Sequence, residues 1–159
     1  MPEPSPQSDV RSSLLKYAVF CLNRRPYFAE TLRQKLILRS KKLKLGDTSE
    51  EIAKILADLR HSGYLNDSYL AGAFVRRQLS KGYGPRIIKL KLNMMKLDPG
   101  TIEIALDEDA DIPQQTAAIE KYASRYRKLD RRQIVSRLYS RGFSFAVINK
   151  VFDAEYIED

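Results

Sequence analysis

Few residues in this chain are placed to do chemistry. His61 is the only histidine and Cys21 the only cysteine. No His/Cys cluster can therefore hold a metal ion, and any Ser-His-Asp or Cys-His set would depend on this one imidazole. Cys21 sits in Tyr17-Ala-Val-Phe-Cys-Leu22, the longest uninterrupted apolar run. A thiol in that setting reads as a buried, inert packing group. Asp107, Glu108 and Asp109 are consecutive acids that read as solvated charge at a helix end rather than as ligands of a hard cation. Lys81-Gly82-Tyr83-Gly84-Pro85 has two glycines but not the spacing of a phosphate-cradling loop. The reading is of no catalytic residue, no metal site and no cofactor, which leaves an enzyme as a distant third among the function classes. No aromatic-rich basic strand of the RNA-recognition type is present either.

Charge is the stronger signal. The 159 residues carry a formal net charge of +8, which favours acidic partners and says nothing about fold. Nucleic acid, an acidic protein surface and an anionic membrane all stay open on composition alone. The bases are sorted along the chain. Arg76 to Lys96 holds seven bases and no acid, Arg33 to Lys44 six and no acid, and Lys121 to Arg141 eight with only Asp130 against them. Between and after these lie acids: Asp98, Glu103, Asp107, Glu108, Asp109 and Asp111, then Asp153, Glu155, Glu158 and Asp159. Arg86, Lys89, Asn93 and Lys96 fall on one face of a helix read over Pro85 to Met95, with Ile88, Leu92 and Met95 toward the core. The expected binding ridge is Arg76, Arg77, Arg86, Lys89, Lys96, Arg125, Arg131 and Arg132. Lys35, Lys91 and Arg137 each precede a core leucine. Their stems are expected along the apolar stripe, in a mainly structural role.

The elements that must position these charges repeat. An apolar-x-x-basic-Leu pattern occurs at Leu32, Ile88 and Ile134, and an Ile-x-x-apolar-Leu/Phe pattern follows at Ile52, Ile102 and Ile148. The offset is 14 residues in the second and third copies and 20 in the first, so copy one carries a six-residue insertion near Lys41 to Asp47. An amphipathic helix precedes each copy, as in Leu15, Ala18, Val19 and Leu22. The unit is three helices, made three times. Thr48 with Glu51 and Asp130 with Gln133 read as capping boxes, and Asp98-Pro99 as an N-cap before proline at the first helical position. Gly63-Tyr64, Gly82-Tyr83 and Gly142-Phe143 read as left-handed helix ends whose next apolar residue packs back on the last turn.

The expected fold is all-α: three tandem three-helix repeats forming an elongated, curved molecule with a long binding surface. Residues 1–10, with Pro2, Pro4 and Pro6, read as a disordered tail. The repeats are expected over 11–64, 65–110 and 111–159. No apolar run approaches the roughly 20 residues needed to span a bilayer, no basic-then-apolar leader opens the sequence, and no internal disulfide can form from one cysteine. The expectation is a soluble, cytoplasmic monomer away from membranes.

Gly63-Tyr64-Leu65-Asn66-Asp67, Phe74-Val75-Arg76 and Gly82-Tyr83-Gly84-Pro85-Arg86 with Ile88 closely resemble the central repeat of RecX proteins. Arg24-Arg25-Pro26 before Leu32-x-x-Lys35-Leu36 is similar to their first repeat, and Arg141-Gly142-Phe143 with Ile148 and Val151 to their last. The resemblance runs from about Leu14 to Phe152. Asn66 stands where an acid is common, and Phe28 and Thr31 stand where Ser and Glu are common at the start of the second helix. The resemblance implies tandem three-helix repeats. It also implies a regulator that binds the groove of the RecA filament on DNA and inhibits its ATP hydrolysis, strand exchange and stimulated repressor cleavage. Weak binding to single- or double-stranded DNA goes with it. The competing reading is a sequence-nonspecific nucleic-acid-binding protein that acts without RecA; the acidic third helices argue against it, because bare DNA gains nothing from them.

Overall fold

A computed structural model describes residues 6–154. Nine α-helices run through them: α1 (Pro6–Arg24), α2 (Ala29–Leu43), α3 (Ser49–His61), α4 (Asp67–Ser80), α5 (Pro85–Met94), α6 (Pro99–Asp109), α7 (Ile112–Arg125), α8 (Arg131–Ser140) and α9 (Phe145–Ala154). The described residues contain no strand. None of these helices is long and apolar enough to cross a membrane. The boundary between two compact units falls inside α4, after Leu70.

Both repeated patterns mark the core. Leu32, Ile88 and Ile134 are buried, as are Leu36, Leu92 and Leu138 four residues on. Ile52, Ile102 and Ile148 are buried too, with Ile55, Ala105 and Val151, and Leu56, Leu106 and Phe152. In the first unit, α1, α2 and α3 pack on one another around Leu14, Ala18, Leu32, Leu36, Ile55 and Leu59. Cys21 is a buried free thiol in that cluster. In the second unit α5 packs on α6, and α9 on both α7 and α8. The insertion in copy one has a simple physical form: α2 has 15 residues where α5 and α8 have 10.

Helix ends follow the expected chemistry with instructive departures. Asp98 accepts from the Thr101 N–H, and Asp130 and Gln133 form a reciprocal capping box. A second box, Asp111 with Gln114, starts α7. Gly63, Gly82 and Gly142 take φ of +78°, +79° and +102°, and the residues beyond them close the turn with bonds such as Tyr83 N–H to the Gln78 carbonyl and Phe143 N–H to the Leu138 carbonyl. Phe143 is buried, but Tyr64 is 69% exposed and Leu65 packs in its place. Thr48 is the N-cap residue of α3 without a capping bond. It is buried, and its hydroxyl donates to the equally buried Ser40 at 2.8 Å, so the box expected with Glu51 does not form. Asn66 caps α4 by accepting from Tyr69 N–H. The Phe28 side chain offers α2 no acceptor, and Asp67 supplies the missing one from elsewhere in the chain, taking the Ala29 N–H at 2.9 Å.

The tail expected over 1–10 does not hold for its second half, because α1 begins at Pro6 and Val10 packs partly against the core; residues 1–5 lie outside the described residues. The acids Glu155, Glu158 and Asp159 lie outside the described residues.

Candidate functional site

All eight residues of the expected ridge are exposed, but their side chains divide into two groups. Arg76 pairs with Asp109, Lys89 with Glu103, and Arg131 with Asp153 at 2.9 Å. Arg86 donates to the Tyr139 carbonyl at 2.7 Å and lies 5.2 Å from the centre of that tyrosine's ring. These four hold one helix of the second unit to another. Arg77 lies over Phe74 at 5.5 Å, and Lys96, Arg125 and Arg132 make no ion pair among the described residues. Those four keep their donors directed to solvent.

The stripe expected on the Pro85 helix is also shorter than read. The helix ends at Met94, Met95 is its C-cap and only partly buried, and Lys96 takes a left-handed φ of 57°. Lys96 therefore leaves the face that Arg86 and Lys89 share. The acids of the third helices answer the bases of their own repeats: Glu103 and Asp109 of α6 pair with α5 and α4, and Asp153 of α9 pairs with α8. The Lys89 and Arg131 pairs are solvent-exposed and contribute about 0–1 kcal/mol each, while Asp109 is only 15% exposed in its pair with Arg76. The larger effect of all three pairs is to neutralise charge that would otherwise face a partner.

The glycine motif proves to be a packing device. Gly84 N–H donates to the Arg141 carbonyl at 2.8 Å, and Arg86 N–H to the Gly142 carbonyl at 3.2 Å. Arg141 answers with its guanidinium, whose Nε and a terminal nitrogen donate to the Gly82 and Lys81 carbonyls at 2.6 Å each. The same guanidinium lies 4.2 Å from the Tyr83 ring centre and 5.1 Å from that of Tyr122. A Cβ on Gly84 would fall 2.6 Å from the Gly142 carbonyl oxygen, and one on Gly142 would fall 2.7 Å from the Ile87 nitrogen. Two backbones meet here because neither carries a side chain. The loop with two glycines thus joins α4–α5 to α8–α9.

Lys35, Lys91 and Arg137, the bases before the core leucines, share one environment. Each lies over a tyrosine: Lys35 over Tyr27 at 5.4 Å, Lys91 over Tyr83 at 3.6 Å, Arg137 over Tyr126 at 5.7 Å. Lys91 also donates to the buried Gln78 Oε1 at 2.7 Å. Sequence reasoning gave them a structural role but missed the ring. The signal was legible in two copies, where the tyrosine stands eight residues before the base; in the third the separation is 11. Among the described residues no group of three or more His, Cys, Asp or Glu side chains is placed to hold a metal ion, and His61 lies exposed at the end of α3.

No family model matches the chain. Its similarity to individual proteins is extensive. The regulatory protein RecX of Legionella pneumophila (strain Corby) is 30% identical over 142 residues, covering 85% of this chain and 89% of that protein. That of Thermotoga maritima is 29% identical over 140 residues, covering 87% and 82%. That of Bacillus pumilus is 31% identical over 115 residues, and the match spans 66% of this chain but only 43% of that longer protein. In fold, the crystal structure of RecX from Lactobacillus salivarius matches with a TM-score of 0.76 at 24% identity, over 92% of this chain and 97% of that one. A second RecX crystal structure matches with a TM-score of 0.73 at 22% identity.

Proposed function

This chain belongs to the RecX family of regulatory proteins, and from that premise we propose that it binds the groove of the RecA–DNA filament and slows its ATP hydrolysis, strand exchange and stimulated repressor cleavage. The observation that carries the reading is the match of nearly the whole chain, 85% of it, to a RecX protein along 89% of that protein's length. The surface chemistry supports it. A protein with +8 net charge is drawn to a polyanionic filament. Several modest contacts along a repeating partner add through effective concentration. It acts in the cytoplasm as a monomer, without a cofactor and without turning over a substrate.

The contacts come from the basic ridge, with its eight members in different roles. Arg77, Lys96, Arg125 and Arg132 touch the partner, since their donors are open. Arg76, Arg86, Lys89 and Arg131 keep the helices in the positions from which the first four reach out. Arg86 and Lys89 then matter for stability before they matter for binding.

The test is RecA-catalysed, DNA-dependent ATP hydrolysis with this protein added. Hydrolysis should slow at substoichiometric amounts relative to RecA. Unchanged hydrolysis with the protein in large excess would remove the proposal. If bare DNA is still bound under those conditions, the competing reading, a nucleic-acid-binding protein that acts without RecA, takes its place.

A further inference from the structure

We propose that the first unit carries a separate site for single-stranded nucleic acid, in a cleft between α1 and α2 where aromatic rings and unneutralised cations converge. The cleft has a volume of about 390 Å³ and is lined by Tyr17, Phe20, Arg24, Arg25, Tyr27 and Lys35, with Cys21 at its base. No carboxylate lines it. None of these residues belongs to the ridge considered above.

Cations lie on rings in both units, but here none of their side chains also donates to an acid or a carbonyl among the described residues. Arg24 lies 5.4 Å from the Phe20 ring centre, Arg25 and Lys35 lie 4.8 and 5.4 Å from that of Tyr27, and Arg39 lies 5.1 Å from that of Tyr17. None of the four makes an ion pair among the described residues. A ring face attracts a cation but does not take up its full set of N–H donors. A guanidinium lying on a ring is fixed in place with donors still to give. Arg39 lies outside the lining of the cleft, and its Nε is buried without a hydrogen-bond partner. In the second unit Arg76, Lys89 and Arg131 donate to Asp109, Glu103 and Asp153, and Arg86 and Arg141 to backbone carbonyls, while Arg77 and Arg137 lie on rings without such a partner. The donor capacity left in the first unit suits an anion with several acceptor oxygens, which a phosphate provides.

The rings narrow the ligand further. Phe20 is 54% exposed and stacks loosely on Tyr17, with ring centres 6.4 Å apart and planes inclined by 22°. An exposed phenylalanine in a cleft with three cations asks for a ligand that joins an anion to a flat apolar ring, and a nucleotide does so. The base must be unpaired to reach Phe20, which selects single strands over duplexes. Stacking of this kind is tolerant of sequence because every base has a π-face. Arg24, Arg25 and Lys35 then hold the backbone phosphates while Phe20 takes a base.

The experiment is fluorescence anisotropy of a labelled oligothymidylate titrated with the full chain at low salt, RecA absent. Phe20→Ala should weaken oligothymidylate binding roughly thirty-fold, the middle of the range for one stacked base, while leaving duplex binding nearly unchanged. Phe20→Trp should restore it. Arg24→Gln with Arg25→Gln should lower the slope of log affinity against log salt by about 1.4, two phosphate contacts on a single strand. Tyr64→Ala, an exposed aromatic of the same unit outside the cleft, should have no effect. Circular dichroism of each variant guards against unfolding as the cause. The proposal is overturned if the parent binds no oligothymidylate, or if folded Phe20→Ala and Arg24→Gln/Arg25→Gln variants bind it like the parent. It is equally overturned if polyglutamate displaces the oligonucleotide at equal charge, because the cleft would then be an acidic-protein dock. RecA takes no part in any of these readings, so their failure leaves the filament proposal standing, and the converse also holds.

Discussion

Replacing Gly84 by alanine should be among the most damaging single-methyl changes in the second unit. Gly84 has φ −88° and ψ 171°, ordinary extended backbone, so the change introduces no conformational strain. The damage is purely one of space. The new Cβ would stand 2.6 Å from the Gly142 carbonyl oxygen and closer still to the Gly142 carbonyl carbon and the Phe143 nitrogen. These are backbone atoms that cannot rotate aside, so the α4–α5 and α8–α9 turns must separate. Separation lengthens two backbone bonds, Gly84 N–H to Arg141 and Arg86 N–H to Gly142. Overpacking costs about 1–3 kcal/mol, and each weakened bond adds about 0.5–1.5 kcal/mol. A loss of about 3 kcal/mol is expected, and at roughly 2–4 °C per kcal/mol for a chain of this length the melting temperature should fall by about 10 °C. The assay is thermal unfolding followed by circular dichroism, with Gly63→Ala as the internal comparison. Gly63 has φ +78° and nothing within 4 Å of a Cβ, so its substitution carries only the left-handed cost of about 1–2 kcal/mol. A Gly84→Ala protein that melts within a degree or two of the parent, or above Gly63→Ala, would refute the assignment of this motif to packing.

Leu92→Ala should loosen the second unit by about 2–5 kcal/mol, because Leu92 is fully buried at the repeated core position; urea unfolding with an unchanged midpoint would contradict the repeat alignment. Asp67→Ala should cost about 1 kcal/mol, the usual value of an N-cap acceptor, since it frees the Ala29 N–H at the start of α2; hydrogen exchange should show that amide losing protection. Reversing Arg77, Lys96, Arg125 and Arg132 together to Glu should abolish inhibition of RecA hydrolysis at unchanged helical content. Reversing Arg86 and Lys89 should instead lower the melting temperature, because each loses a partner within the chain; full inhibition by the four-fold variant would move the contact elsewhere.

The repeat was legible because burial constrains residue type at a fixed spacing. Apolar side chains at Leu32, Ile88 and Ile134 and their companions are what a three-helix unit needs in order to close, and all are buried. Caps were legible at Asp98 and Asp130, whose partners lie three residues on, a spacing that the Asp111–Gln114 box shares. They were not where a competing partner sits further off. Thr48 and Glu51 satisfy the sequence signature of a capping box, but the Thr48 hydroxyl is buried beside Ser40, and a buried hydroxyl left without its partner costs more than an exposed N–H that water can serve. Asp67 reaching back to α2 is the opposite case, an acceptor supplied from 38 residues away.

The role of each basic residue was the least legible property, for the same reason. Sequence shows where cations are dense and not what each one touches. Arg86 and Lys89 share a helical face, but one is bound to a carbonyl 53 residues away and the other to an acid 14 residues away. The acids first read as arguing against a plain DNA binder serve first as internal counterions: Glu103, Asp109 and Asp153 each close an ion pair. Pairing of this kind adds little stability, but it decides how the surface looks to a polyanion. A cation facing a carboxylate forms a nearly neutral pair with little field even within the Debye length of about 10 Å, whereas one lying on a ring face keeps its whole charge. Arg24, Arg25, Lys35 and Arg39 are of the second kind. The free positive charge is therefore not greatest where bases are most numerous in the sequence. It is greatest where neither an acid nor a backbone carbonyl answers them, and by that criterion the first unit offers a polyanion as much as the second.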